Sequence, residues 1–325
     1  MSADLLLAVV ARLLPPGRRD WGRAMRAETA AVPPGRERWM HALGCASTVL
    51  AQPAVLRTIG YPLAALAVLA GVLQWSASIA YAPLRWGLVG LIALLHVVAL
   101  VGRRPGVLGP VGDGRAARAV RAGGCLFIAV MTASFVARLG THGPPDEQAR
   151  FGVPIFAVFL TSYLIGLLAF TARRTAVTGR ALATGVAASL AAAGIWVACQ
   201  FVFPPVPANV GGAVFTIGCG VAAVILVLSR AGRRRDTLLA ALSVSMLAPL
   251  LVFTGVVLVS SYGPARLIPA LVPAALTPAD RLANSRIEIQ DPYVAMLFLA
   301  CLAAVVLAVA SLVAGRRVHD RTATR

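Results

Sequence analysis

The chain has no lysine: all thirty of its basic residues are arginine, set against twelve acidic ones. Charge of either sign is scarce, at 13% of 325 residues, where soluble domains carry about 25%. That deficit, with 59% hydrophobic residues, excludes an ordinary soluble fold although the length alone would allow two soluble domains. Paired cysteine spacing is absent too. Cys45, Cys125, Cys199, Cys219 and Cys301 show no CxxC, and four of the five lie in separate apolar segments. Neither a disulfide framework nor a metal site is expected. There is no P-loop, dinucleotide fingerprint, HExxH or GxSxG elbow, so no catalytic residue and no cofactor is expected. Carboxylates are missing from the middle of every apolar run, which argues against a proton-coupled carrier. The N-terminus also lacks a signal-peptide pattern: Asp4 stands in place of a basic n-region, and Arg12 interrupts the first apolar run.

What is present is apolar length. A transmembrane helix needs about 20 predominantly apolar residues, and the uncharged stretches supply eight spans. They fall near 62–82, 86–102, 120–138, 153–172, 181–203, 210–229, 237–260 and 293–315, with Pro204-Pro205-Val206-Pro207 dividing one long stretch into two. The second and third are short, and Arg121 and Arg138 would have to snorkel toward headgroups. With residues 1–57 inside, the inner segments hold 24 arginines and the outer ones six. That bias orients the chain with both termini in the cytoplasm. The net charge of +18 is explained by this pattern, and no nucleic-acid partner is expected, because the arginines belong to no basic domain. The expected fold is all-α: a cytoplasmic module over 1–57, an eight-span domain over 58–315 and a basic tail over 316–325. All-arginine usage with abundant Ala, Gly, Pro and Val points to a GC-rich bacterial genome, and hence to a bacterial plasma membrane. Small residues at Gly185, Ser189 and Ala193, and at Gly212, Thr216 and Gly220, suggest that the fifth and sixth spans pack as antiparallel neighbours.

Two segments lie outside the spans. Residues 1–57 read as three amphipathic helices near 3–14, 18–31 and from 36 onward, with Ser2 as the first N-cap. Trp21 and Met25 share a face of the second, and Trp39, Leu43, Ala46 and Leu50 form a stripe on the third. Two roles fit such a segment. It could lie as a basic apron on the anionic leaflet, or dock a cytoplasmic protein through Trp21, Met25, Trp39 and Leu43. The outer connection 261–292 carries a helix start at Thr277-Pro278-Ala279-Asp280, with Thr as N-cap and Pro at the first helical position. Leu282 and Ile289 would share one side of that helix, against the bundle mouth or the bilayer surface.

Polar groups inside the spans are few. Gln74 of the first and His96 of the second form a candidate intramembrane cluster, His96 being the one titratable group at depth. An intramembrane histidine is a functional candidate, yet without a carboxylate or second His it reads more naturally as an interhelical hydrogen bonder.

The segment LLPPGRRDWGRAMRAETAAVPPGRERWMHALGCA (13–46) resembles the N-terminal cytoplasmic segment of a group of uncharacterised actinobacterial multi-pass membrane proteins. The shared pattern is Leu-Leu-Pro, then RR-x-W-x-x-AM-x-AE, R-x-R-W and Leu-Gly-Cys, and RIEIQDPYVAMLFL (286–299) is similar as well. Thr29 departs from it, standing where leucine follows the glutamate. The resemblance implies no activity. Three function classes remain: a non-enzymatic interaction or regulatory membrane protein, a permease for a small or apolar solute, and a lipid-modifying enzyme. The first is favoured and the last is weakest, since no acid, base and nucleophile converge.

Overall fold

The structure is a computed structural model, and it describes all residues except 1, 15, 80, 104, 105, 107, 142–146, 176, 207–209, 231–233, 274–276, 324 and 325. It is all-α. The helices are α1 (Ala3–Ala11), α2 (Arg19–Ala31), α3 (Arg36–Leu50), α4 (Pro53–Ser76), α5 (Ala82–Val101) and α6 (Arg115–Thr141). They continue as α7 (Glu147–Thr171), α8 (Gly179–Val202), α9 (Gly211–Ser229), α10 (Arg234–Tyr262), α11 (Pro278–Glu288) and α12 (Asp291–Ala323). Among the described residues the one β-type pairing is an isolated bridge between Val111 and Ala172. Eight helical stretches, in α4 to α10 and the segment ending in α12, are long and apolar enough to cross a membrane. The chain is a multi-pass membrane protein.

Helix ends differ from the hydropathy boundaries in instructive ways. The second and third spans are not short: α5 has 20 residues and α6 has 27. Arginine is a good helix former, so α6 continues through Arg115, Arg118 and Arg121 although hydropathy falls there. The first span starts earlier than expected, because Pro53 sits at the first helical turn of α4, where its missing N–H is harmless. The tail is likewise drawn into helix, with α12 running to Ala323. Ser2 and Thr178 cap α1 and α8, accepting the backbone N–H groups of Leu5 and Ala181 at 3.3 Å each.

The chain forms two compact units, Met1–Ser78 and Ile79–Arg325. The first holds α1 to α4 and is built below. In the second, α10 is central and packs against α7, α8, α9 and α12. Close approach depends on glycine at these crossings. A Cβ on Gly185 would collide with the Ser243 hydroxyl, and one on Gly166 would meet Met246 and Ala304. The small-residue line Gly185, Ser189 and Ala193 is buried as a face of α8, with Gly185 set against α10. On α9, which does pack against α8, the buried line is Ala213, Gly220, Val224 and Leu228. Gly212 is exposed and Thr216 only half-buried, so of the expected α9 stripe only Gly220 is fully inside.

Both ends of this unit are tied by arginine. Arg121 does not snorkel. Its Nε donates to Thr171 Oγ1 (2.8 Å), and its terminal nitrogens donate to the carbonyls of Gly109 (2.8 Å) and Leu168 (2.7 Å), closing the C-terminus of α7. The side chain of Arg138 lies outside the described residues. At the other end Arg286 donates to the carbonyls of Ser260 (2.6 Å) and Gly263 (2.8 Å), closing α10, while Gln290 Nε2 reaches Ser260 Oγ at 3.0 Å. The last turn of a helix leaves carbonyls without N–H partners, and a planar guanidinium can satisfy two or three at once. The expected α11 is present. Thr277 Oγ1 accepts Asp280 N–H at 3.2 Å, Ile289 is buried, and Leu282 packs against the same apolar cluster as Tyr293. Ser285 Oγ accepts Leu271 N–H at 3.2 Å, fastening α11 to the segment before it. Tyr293, in the first turn of α12, is fully buried and meets Trp196 edge-on at 5.5 Å.

Candidate functional site: the N-terminal helical module

Residues 3–55 fold around a core of their own. Leu7, Val10 and Leu14 of the first segment meet Met25 of α2 and Ala42, Ala46 and Val49 of α3, with Val55 below them. Small residues set the spacing. A Cβ on Gly22 would lie 3.0 Å from both Ala11 Cβ and Leu14 Cδ1, so glycine lets α2 press against α1. Gly35, at φ 138°, makes the left-handed turn that starts α3, a conformation L side chains avoid.

Polar contacts fix the register of the three helices. Arg38 Nε donates to the carbonyls of Thr29 (3.1 Å) and Val32 (3.0 Å), and a terminal nitrogen donates to Ala30 O. That fork closes the C-terminus of α2, where a cation also opposes the helix dipole favourably. The same guanidinium lies 4.0 Å from the Asp4 carboxylate of α1. At the far end Arg18 donates to Gln52 Oε1 at 3.1 Å. These two links place the start of α1 beside the start of α3, and the residues after α1 beside those after α3. The two helices therefore run parallel, with α2 returning between their ends.

Between Arg38 and the core lies a buried polar contact. Thr29 is fully enclosed, donates its hydroxyl proton to Met25 O at 2.8 Å and stands 3.0 Å from His41 Nδ1. With its hydroxyl proton donated to Met25 O, the threonine oxygen is left to accept from His41 Nδ1–H. Cys45 Sγ stands 3.7 Å from the same Nδ1. Thr29 is thus a hydrogen-bonded link between α2 and α3.

The expected docking residues are distributed as follows. Met25 belongs to the module's core, Trp21 is exposed on α2, and Trp39 and Leu43 are exposed on α3 together with Met40 and Leu50. The packing face of α3 is Ala42, Ala46 and Val49, turned by roughly 75° from the Trp39–Leu43–Leu50 line at about 100° per residue. Ala46 is the one member of the expected stripe that is buried.

The intramembrane candidates stand apart from this module chemistry. His96 Nδ1–H donates to Ile92 O at 2.7 Å, one turn back on its own α5. Gln74 is exposed on α4, in the first compact unit, whereas His96 belongs to the second. Two other polar groups lie inside the spans: Gln200, which the sequence itself shows as one of the few polar residues there, and Tyr163, which sequence reasoning passed over. Tyr163 on α7 is buried with its hydroxyl unpartnered, and Gln200 on α8 is buried with its amide oxygen unpartnered while its nitrogen donates to Trp196 O at 3.0 Å. A tyrosine inside an apolar run carries no sequence signal of an orphaned hydroxyl. Among the described residues no group of three or more His, Cys, Asp or Glu could hold a metal ion. No family model, curated protein or solved structure matches the chain.

Proposed function

We propose that the protein is a non-enzymatic interaction or regulatory protein of a bacterial plasma membrane, related to the actinobacterial group its N-terminus resembles. Both termini lie in the cytoplasm, and residues 1–57 bind a cytoplasmic protein. The observation that carries this is the module's construction. It is packed around its own core and locked by Arg38, yet it keeps Trp21 of α2 outside. A segment serving only as a linker needs no such core. The 24-to-6 arginine bias supports the orientation, and a sequence without P-loop, dinucleotide, HExxH or GxSxG motifs supports a role without catalysis.

The test is photo-crosslinking in intact cells. A diazirine amino acid in place of Trp21 or Arg23 of the full-length chain should give one discrete protein adduct, lost when Arg38→Met loosens the module. Only lipid or water products at both positions would refute the partner. A permease is the second reading, favoured by the buried unpartnered atoms of Tyr163 and Gln200, which could face a small polar solute. Solute uptake by proteoliposomes that is abolished by Tyr163→Phe would move it into first place.

A further inference from the structure

Helix α3 carries two apolar faces. Ala42, Ala46 and Val49 are buried in the module core, and a second line stays outside: Trp39, Leu43 (53% exposed) and Leu50, flanked by Met40 (63%). At about 100° per residue, Trp39, Leu43 and Leu50 fall within about 40° of one another, with Arg36 on the same arc. His41 and Arg38, whose side chains bond to α2, lie roughly on the opposite side. The outer line therefore faces away from α2.

Two further observations say what covers it. The first is the chain itself. Only Ala51 and Gln52 separate α3 from α4, and the apolar window of α4 begins at Ile59. Six residue steps from Pro53 to Ile59 make about 9 Å of helix, little more than the headgroup layer of about 5–8 Å on each side of a bilayer. The Leu50 end of α3 is held at headgroup level. The second observation is charge: residues 1–57 carry eight arginines against four acidic residues, a balance that suits an anionic surface. Tryptophan, leucine and methionine on one arc with arginine at its rim is the composition of a helix lying in an interface.

We infer that α3 lies along the leaflet at which α4 enters the membrane, with Trp39, Leu43 and Leu50 seated at the boundary between headgroups and acyl chains. Arg36 meets lipid phosphates there. The module then stands on the membrane with α2 turned to the water, which leaves Trp21 and Arg23 clear for a soluble partner. The lipid seat rests on the membrane-spanning nature of α4 and needs no protein partner, so it stands or falls separately from the function proposed above.

The full-length protein reconstituted in vesicles of phosphatidylglycerol and phosphatidylcholine tests it. A diazirine amino acid replaces Leu43 in one preparation and Ala24, exposed on α2, in another. Photolysis should attach phospholipid at position 43 at least fivefold more than at 24, and the yield at 43 should fall at least by half in pure phosphatidylcholine. A Leu43→Asp variant, which leaves the module core untouched, should raise amide exchange in α3 when vesicles are present and leave α8 unchanged. Equal lipid labelling at 43 and 24, indifference to lipid charge, or a protein adduct at 43 in native membranes would overturn the assignment.

Discussion

Replacing Arg38 by methionine keeps a long apolar stem and removes the guanidinium, so the perturbation is confined to the cap of α2. Three carbonyls lose a guanidinium donor, although Thr29 O keeps the Val32 N–H at 3.3 Å. The bond to Ala30 O is exposed, and water can replace it. The single Nε–H shared between Thr29 O and Val32 O is partly buried, and as one charge-assisted bifurcated bond it should be worth about 2 kcal/mol. Loss of the cation from the negative end of the helix dipole adds about 0.5 kcal/mol. The Asp4 contact, at 4.0 Å with half of the carboxylate exposed, adds little once solvent screening is counted. The sum is about 2–3 kcal/mol. At roughly 0.05–0.15 kcal/mol per residue, a module of this length holds only about 3–8 kcal/mol. Amide exchange of the full-length protein in nanodiscs reads the effect directly. Protection over Arg19–Ala31 should fall about 30- to 150-fold, while α8 and α10 keep theirs. Arg38→Lys should fall in between, since an ammonium is a point donor without the fork. Protection of α2 unchanged within threefold would mean that the cap does not hold the module together.

Other consequences are open to test. A cysteine introduced at Asn284 should react with an impermeant thiol reagent from outside intact cells and one at Gly179 should not; labelling at Gly179 would invert or break the eight-span orientation. Thr277→Ala removes the oxygen that accepts Asp280 N–H, so local exchange in α11 should rise by the equivalent of about 1 kcal/mol with α10 unaffected. His96→Asn should leave expression and thermal stability close to wild type, because the ring nitrogen bonds its own helix; a selective loss of function in a folded variant would assign His96 a working role. Gly22→Val should destabilise the module by about 1–3 kcal/mol through overpacking against Ala11 and Leu14, seen as rapid proteolysis between α1 and α2.

What could be read from the chain alone follows from how far each signal reaches. Span number, the α11 cap at Thr277 and the boundaries of α2 and α3 depend on neighbours within a few residues, and hydropathy or capping chemistry reports them. The module core does not. Trp39 and Leu43 dominate the apolar periodicity of α3, yet the buried face is Ala42, Ala46 and Val49, because helices that meet closely are lined by small side chains. Partner choice by arginine is also invisible. Arg121 and Arg286 look like boundary charges in sequence, and only the fold brings α7 and α10 carbonyls within their reach. Thr29 presents the same difficulty: its significance is His41, twelve residues away on another helix.

The ties around Arg286 also bear on how the second unit can move. Ser260 and Gly263 are held from α11, Gln290 reaches back to Ser260, and Ser285 holds the segment at Leu271. The described residues between α10 and α12 are therefore tied to α10 and to one another. They act as a strut, so α10, α11 and α12 should displace as a single rigid body. A rearrangement of this unit would then be a sliding or tilting of that body past α7, α8 and α9, where Gly166, Gly185 and Gly220 permit close contact. Its amplitude would be set by the short connections at the opposite end, with Thr178 hydrogen-bonded to Asp236 at 2.8 Å acting as the pivot.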